Sequence, residues 1–247
     1  MQLLKPRLLF VDNLRTLAIT LRFQMSSNDD MRKALDTQKQ HWEKTYSNEP
    51  DFFGEEPSYP AKRAIEIFRG ESARVILELG GGQGRDTFFF ARNGFQVYIV
   101  DYCQSGVDAI NEKAQRLGLT NSIKAIRHDV RKPLPFSGEF FDGCYSHMLF
   151  CMALTTAELE SLSQEVRRVL KPNGLNMYTV RNTKDKHYGT GIHKGEDMYE
   201  VNGFIVHFFS KNKIEHLAKG YEIVRVEEFE EGELPINLFL AVLRALK

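Results

Sequence analysis

Residues 75–86 read Val-Ile-Leu-Glu-Leu-Gly-Gly-Gly-Gln-Gly-Arg-Asp. A mostly apolar strand pattern runs into glycines at alternate positions, 80, 82 and 84, and a helical pattern follows. Glycine adopts positive φ and has no Cβ, so the backbone can turn sharply and a ligand can lie against it. The free N–H groups at the start of the following helix suit an anionic or polar ligand. This strand–turn–helix predicts the nucleotide-binding corner of a doubly wound α/β domain.

The glycine spacing indicates which class of nucleotide cofactor the turn binds. The dinucleotide fingerprint requires glycine at the first, third and sixth positions, and counted from Gly80 the sixth position is Arg85. A nicotinamide oxidoreductase is therefore disfavoured. Glu78 and the three glycines form the pattern Glu78-x-Gly80-x-Gly82-x-Gly84. This pattern resembles motif I of the class I S-adenosylmethionine-dependent methyltransferases. The resemblance implies that S-adenosylmethionine binds to Glu78, Gly80, Gly81, Gly82 and Gly84.

Strand and helix patterns alternate through the middle of the chain. Strands are predicted at 74–79, 96–100, 123–127, 141–146, 175–180, 222–227 and 237–244, and helices at 30–47, 61–68, 84–93, 105–117, 156–170 and 210–218. Such alternation implies a parallel sheet. The last two strands have no helix between them, so we expect an antiparallel hairpin at the C-terminal edge. The predicted fold is a doubly wound, mostly parallel seven-stranded α/β sheet, and the strand order is the one that the methyltransferase resemblance implies.

Acidic residues follow the second and third predicted strands, where ligands of open α/β sheets bind. Asp101 can accept hydrogen bonds from both ribose hydroxyls. The resemblance implies that Asp129 accepts one from the adenine amine and that the Val130 N–H meets an adenine ring nitrogen. Tyr102 and Ser146 complete the predicted cofactor contacts. Helix capping is the alternative role for the two aspartates.

Two later stretches support the same resemblance. Phe141-Asp142-Gly143 matches the family motif before the fourth strand, and residues 170–174, Leu-Lys-Pro-Asn-Gly, match its turn before the fifth. Asp142 is expected to be structural. Five motifs in order over roughly residues 72–181 make the family assignment specific.

The acceptor site is predicted from the regions that cover the active site in this family. These are the N-terminal helix and the segments after the fourth and fifth strands, and they supply Trp42, Tyr46, His147, Arg181, Tyr188 and His207. His147 directly follows a central strand and is the first candidate for a catalytic base, with Tyr145 as a second catalytic candidate. A packing role is the alternative for His147, and no ligand spacing supports a metal site.

Three segments organise the chain. Residues 1–24 form an extension that contains four cationic residues and one acid, Asp12. This extension is either a targeting peptide or an amphipathic surface helix. Alternatively, translation or the functional fold starts at Met25. Residues 25–70 are predicted to form a helical cap and 71–247 the methyltransferase domain, with a lid insertion at about 181–209. The acidic run 227–233 is predicted to be a solvated loop.

Composition excludes several classes of function. The 247 residues carry 33 Lys plus Arg and 33 Asp plus Glu, so nothing indicates a globally basic nucleic-acid binder. The three cysteines, 103, 144 and 151, lack CxxC spacing and are predicted to be buried small hydrophobes, as in a reducing compartment. No apolar run approaches the ~18 residues of a membrane span. We expect a cytoplasmic monomer or homodimer.

The predicted function is methyl transfer from S-adenosylmethionine to a small-molecule acceptor by in-line displacement. The sulfonium carries its own leaving group, so the protein mainly aligns the reactants and excludes water, and no catalytic triad is required. Two alternatives remain open from the sequence. One is a methyltransferase acting on RNA or protein, for which residues 1–24 are the concentrated cationic candidate, and the other is a non-catalytic S-adenosylmethionine-binding module.

Overall fold

The computed structural model describes residues 32–232 and 236–247. The chain divides into two compact units, residues 1–37 and residues 38–247. Of the first unit only 32–37 are described, and they are helical. The predicted extension, residues 1–24, lies outside the described residues. The account below concerns the second unit.

Helices and strands alternate as predicted. The described helices cover residues 32–48 (α1), Tyr59–Gly70 (α2), Arg85–Arg92 (α3), Gln104–Leu117 (α4), Thr156–Val169 (α5) and Lys211–Leu217 (α6). The described strands are Val75–Leu79 (β1), Gln96–Asp101 (β2), Ile123–Arg127 (β3), Phe141–His147 (β4), Leu170–Arg181 (β5), Ile192–His193 (β6), Met198–Val201 (β7), Phe204–His207 (β8), Tyr221–Glu231 (β9) and Ile236–Ala245 (β10).

The main sheet has seven strands in the order β3-β2-β1-β4-β5-β10-β9. Pairing is parallel from β3 through β5, and β10 runs antiparallel to both of its neighbours. The predicted fold and its antiparallel C-terminal edge are therefore confirmed. The strand order reverses at β1 and β4, where Glu78 lies opposite Tyr145. This switch point is where a doubly wound sheet opens a crevice for ligands.

Each face of the sheet carries its own apolar core. Cys144 and Tyr145 are consecutive in β4 and therefore point to opposite faces. Cys144 packs in a cluster with Leu162 of α5, and Tyr145 packs in a second cluster with Phe68 of α2. All three cysteines are buried and free, as predicted. Covering both faces leaves only the strand ends and the sheet edges to bind ligands.

Local sequence signals explain where the helices begin. The Ser58 hydroxyl caps α2, whose first turn holds Pro60. Thr155 and Glu158 form the predicted capping box at α5. Gly84 precedes α3 with φ of +92°, a conformation that glycine adopts without steric cost.

In the C-terminal half, one segment contains strands that were not predicted, and one prediction is wrong. Residues 181–209 contain a three-stranded antiparallel sheet, β6-β7-β8, whose strands of two to four residues are too short to show a periodic pattern. Residues 227–231 are not a solvated loop but the end of β9, with Glu231 opposite Ile236. An edge strand accommodates such charges because one of its margins is open to solvent.

Candidate active site

The glycine turn after β1 has the geometry that its sequence predicts. Gly80, Gly82 and Gly84 all have positive φ, at +70°, +56° and +92°. A Cβ on Gly80 would lie 2.7 Å from Leu149, and one on Gly84 would lie 2.7 Å from Phe88. These two glycines are therefore required by packing. A Cβ on Gly82 would meet only the Tyr46 ring, with the hydroxyl oxygen 3.0 Å away, so Gly82 lines the space between the turn and α1.

Asp101, at the end of β2, is bonded to this turn. Its carboxylate accepts hydrogen bonds from the backbone N–H of Gly82 and of Cys103, each with a donor–acceptor distance of 2.9 Å. Burial raises the pKa of Asp101 to about 6, although these two N–H groups act in the opposite direction. The group is therefore ionised at neutral pH and oriented toward the turn.

Glu78 supports the turn from within the core. It accepts a hydrogen bond from the Thr87 hydroxyl, with the two oxygens 2.5 Å apart. Burial, reinforced by the charge of Asp86, raises the pKa of Glu78 to about 8. Glu78 is thus mostly protonated at neutral pH, and Asp101 carries the negative charge of the turn.

The second half of α1 and the loop after it lie against the turn. Gln83 donates its side-chain amide to the carbonyls of Tyr46 and Glu49, at 3.2 and 3.0 Å, and accepts the Phe52 N–H at 2.8 Å. Glu43 accepts the N–H groups of Gln104 and Ser105 at the start of α4, both at 2.8 Å. Sequence analysis missed Gln83 and Glu43, because neither residue belongs to a recognisable motif.

An aromatic cluster surrounds Trp42 in the same region. The Trp42 ring centroid lies 5.4 Å from that of Tyr46, 6.1 Å from that of Phe53 and 4.8 Å from that of Phe204. Phe53 is 47% exposed, so the cluster presents an apolar ring surface beside the turn. The structure thus brings two predicted acceptor residues, Trp42 and Tyr46, to the predicted cofactor turn.

The predicted adenine contacts lie after β3. Asp129 is half-buried and accepts hydrogen bonds from the Arg131 backbone N–H at 3.1 Å and from the Arg131 guanidinium, whose shortest contact is 2.7 Å. Burial would raise the pKa of Asp129, but the bonds from Arg131 prevail and lower it. Tyr102 is also half-buried, and burial raises the pKa of its hydroxyl. Val130 is half-buried and packs against the core.

Tyr145 lies in a buried polar network. Its hydroxyl donates to Asp86 at 3.0 Å and lies 3.1 Å from the Ser58 hydroxyl. Asp86 also accepts the Ser58 hydroxyl at 2.7 Å and pairs with Arg85 at 3.1 Å. Tyr145 is 0% exposed, so its geometry supports a role in orienting Asp86 and Arg85, and its predicted catalytic role stays a prediction. Ser146 is also buried, and its hydroxyl makes no hydrogen bond to any residue that the structure describes.

His147 ends β4 with both ring nitrogens engaged. Nδ1 lies 2.8 Å from the Thr179 hydroxyl, and Nε2 lies 3.2 Å from a carboxylate oxygen of Glu231. Burial opposes ionisation of Glu231, but the hydrogen bond from His147 and the charge of Arg85 lower its pKa. Sequence analysis did not identify Glu231, because the acidic run 227–233 that contains it is typical of a solvated loop. The aromatic and β-branched residues within 221–229 were the available signal for a strand.

The three other predicted acceptor residues bind partners within the segment 154–213. Arg181 pairs with Asp185 at 2.5 Å, and the Tyr188 hydroxyl donates to Asp197 at 3.0 Å. His207 is buried, with Nδ1 2.7 Å from the Leu154 carbonyl and Nε2 hydrogen-bonded to Lys213. These partners all lie outside β6, β7 and β8, and no contact joins Arg181, Tyr188 or His207 to His147 among the described residues.

The described residues contain neither a cluster of metal ligands nor a membrane-spanning helix. No set of three or more His, Cys, Asp or Glu side chains there is arranged to hold a metal ion. None of the described helices has the length and apolar character needed to cross a bilayer.

Comparison with known proteins agrees with this geometry. The family described as "Methyltransferase domain" matches residues 76–174, which contain the glycine turn, Asp101 and Asp129. Cypemycin N-terminal methyltransferase from a Streptomyces species is 29% identical over 110 residues, or 44% of this chain. That match covers 43% of the relative, so less than half of its length is represented here.

Solved structures share the fold. The 1,6-didemethyltoxoflavin-N1-methyltransferase of Burkholderia thailandensis, solved with S-adenosylhomocysteine, has a TM-score of 0.69 and 16% identity, covering 87% of this chain and 90% of that one. A methyltransferase from Methanosarcina mazei has a TM-score of 0.65 and 21% identity, covering 77% and 99%. Residues 76–174 thus match a methyltransferase domain, and the chain has the fold of class I S-adenosylmethionine-dependent methyltransferases.

Proposed function

We propose that the protein transfers a methyl group from S-adenosylmethionine to a small-molecule acceptor. The observation that carries the proposal is the bond between Asp101 and Gly82. It places a buried, ionised carboxylate against a side-chain-free turn at the switch point of the sheet. A ligand with vicinal hydroxyls and a polar tail fits such a site.

Different residues of the chain bind different parts of the cofactor. Asp101 has lone pairs left after its two backbone bonds, and these accept the ribose hydroxyls. Asp129 shares its carboxylate between Arg131 and the adenine amine, and Tyr102 and Val130 pack beside the base. Glu78, neutral at pH 7, supports the glycine turn without adding a second charge. When bound, S-adenosylmethionine supplies an electrophilic methyl group on a sulfonium.

Residues around the opening then orient the acceptor and exclude water. Tyr46 and Trp42 cover the turn from α1, and Gln83 holds the following loop in place. Excluding water and aligning the reactants provide most of what an in-line transfer requires. We infer that residues 38–70, the part of the predicted cap that lies in the second unit, cover the site and that the segment 181–209 acts as a second cover.

The small-molecule assignment is supported by the relatives. Their names specify an N-terminal acceptor in cypemycin and the N1 position of 1,6-didemethyltoxoflavin. Both are nitrogen acceptors on natural products. The zero net charge of this chain further disfavours nucleic acid as the acceptor.

The proposal is tested by methyl transfer from S-adenosylmethionine labelled in the methyl group. Pools of small amines, thiols, alcohols and carboxylates are offered separately, beside total RNA and a mixture of peptides and proteins. Label in a small-molecule pool is the expected result. Label confined to RNA or to protein would overturn the small-molecule assignment, and cofactor binding without product in any pool would indicate a non-catalytic binding module.

A further inference from the structure

Thr179, His147 and Glu231 form a chain of hydrogen bonds across the end of the sheet. The three residues come from β5, β4 and β9. His147 lies opposite Thr179 in the parallel pairing, and Glu231 reaches His147 from the edge strand. Local sequence does not require this convergence, because β9 and β4 are separated in the sheet by β5 and β10.

The hydrogen bonds assign the protons in this chain. The Thr179 oxygen accepts the Met148 N–H at 3.0 Å, so its single hydroxyl hydrogen is free to be donated to His147 Nδ1. His147 then carries its proton on Nε2 and donates it to Glu231. The ring is neutral in this arrangement, and the Glu231 carboxylate is ionised.

The negative charge of Glu231 remains available to a ligand. Among the described residues, His147 is the one basic side chain within 4.0 Å of the Glu231 carboxylate, and the Glu231 side chain is 25% exposed. Arg85, the nearby guanidinium, is already paired with Asp86. A neutral imidazole orients the carboxylate without neutralising it.

Aromatic rings lie beside this carboxylate. Phe229 is two residues before Glu231 and therefore shares its face of β9. Its ring centroid lies 5.4 Å from that of Tyr59, and Tyr59 is 48% exposed. Aromatic faces attract organic ammonium ions, so a carboxylate on the same face of β9 as Phe229 suits such an ion.

We propose that the acceptor is an amine that arrives as its ammonium ion and that Glu231 binds it. One N–H proton of the ammonium is then released to bulk water, which leaves a neutral amine with a free lone pair that stays hydrogen-bonded to the Glu231 carboxylate. His147 is a positioning residue, since its Nε2–H holds the carboxylate, and Thr179 fixes the tautomer of His147. This inference rests on the proposed methyl transfer and specifies its substrate class.

The first test compares matched acceptors and matched variants. Methyl-labelled S-adenosylmethionine is incubated with benzylamine, benzyl alcohol or benzyl mercaptan. Further primary and secondary amines, and their alcohol and thiol counterparts, are tested in the same way. Label is expected in amines, with kcat/KM for the amine falling at least about tenfold in Glu231→Gln, because a hydrogen bond to a charged group is lost. Glu230→Gln makes the same charge change at an exposed position of β9 and should match the wild type.

The outcomes separate this inference from the proposed function. Three results would each overturn the amine assignment alone. The first is transfer to alcohols or thiols but not to amines, and the second is the absence of any methylated amine while the cofactor binds. The third is equal rates in Glu231→Gln and wild type. Failure of the wild type to bind S-adenosylmethionine would overturn the proposed function.

A second readout needs no turnover. Nitrogen-15 NMR of the imidazole should show His147 in the Nε2–H form, and benzylamine should shift the Nε2 signal while benzyl alcohol should not. Thr179→Val should mix the two tautomers. An Nδ1–H tautomer in the wild type, or equal shifts with the amine and the alcohol, would contradict the positioning role.

Discussion

Asp101 accepts a hydrogen bond from the backbone N–H of Gly82, with 2.9 Å between the carboxylate oxygen and the nitrogen. This bond joins the end of β2 to the turn that follows β1. It orients the carboxylate before any ligand arrives, so less conformational entropy is lost on binding. The same bond explains why a glycine turn and an acid 17 residues after Gly84 occur together in this sequence.

Asp101→Ala should weaken S-adenosylmethionine binding by about 1–3 kcal/mol, because the ligand hydroxyls would lose their acceptor. Isothermal titration calorimetry measures the change. Asp108→Ala is the matched control, since Asp108 is exposed on α4 and should leave the affinity unaltered. Equal affinity in Asp101→Ala and wild type would remove Asp101 from the site.

Cofactor affinity should depend on pH through Asp101. Its pKa is about 6, and only the ionised carboxylate accepts from both hydroxyls. Below pH 6 the affinity should therefore fall as the pH falls, approaching about tenfold per pH unit. Calorimetric titrations between pH 5 and pH 8 measure this dependence. Asp101→Asn should bind more weakly and show a flat profile over the same range, and a profile as steep as that of the wild type would contradict the assignment.

Stability should also depend on pH, through Glu78. The folded protein keeps the Glu78 proton up to a pKa of about 8, whereas the unfolded chain releases it near 4.5. Between these values the unfolded state binds fewer protons, so the free energy of unfolding falls as the pH rises, by up to about 1.4 kcal/mol per unit. Asp101 adds a change of the same sign between its ordinary value of 3.8 and about 6.

Urea unfolding at several pH values between 5 and 8 checks this effect. Glu78→Gln retains an acceptor for the Thr87 hydroxyl and should flatten the decline above pH 6. Glu112→Gln, at an exposed position of α4, should reproduce the wild-type slope. A Glu78→Gln protein that loses stability as steeply as the wild type would show that Glu78 is ionised in the fold.

Gln83→Ala should release the loop between α1 and α2. Three hydrogen bonds from one side chain hold Tyr46, Glu49 and Phe52, and alanine removes all three. Faster hydrogen exchange at the Phe52 N–H and weaker cofactor binding are expected, with little loss of global stability because the loop is exposed. Gln115→Ala, at an exposed position of α4, is the control. Unchanged exchange at the Phe52 N–H in Gln83→Ala would show that Gln83 does not hold the loop.

Much of the sheet could be predicted because its signals are local. The apolar run of β1, the glycine turn and the capping box at α5 each act over a few residues, and all three appear as expected. The seven strands and the antiparallel C-terminal edge followed from the alternation of patterns. The short strands β6 and β7 could not be predicted, since they are held by pairing with each other and with β8 rather than by their own periodicity.

The candidate site was predictable where it depends on one turn or one strand end. Gly82 and Asp101 meet as expected because adjacent parallel strands end at the same edge. Glu231 was missed because its partner, His147, comes from a strand that is not its neighbour, and the acidic residues around Glu231 are typical of a loop. Arg181 bonds to Asp185, and His207 bonds to Leu154 and Lys213; no single segment of sequence indicates the contacts of His207.

Calorimetric titration of the wild type and of Gly82→Val with S-adenosylmethionine tests the central claim most directly. The account predicts binding to the wild type, no binding to the variant because the valine side chain fills the space between the turn and Tyr46, and no binding of NADH to either protein. Circular dichroism should show that the variant keeps its secondary structure. Normal binding of S-adenosylmethionine by folded Gly82→Val, or binding of NADH in its place by the wild type, would contradict the account.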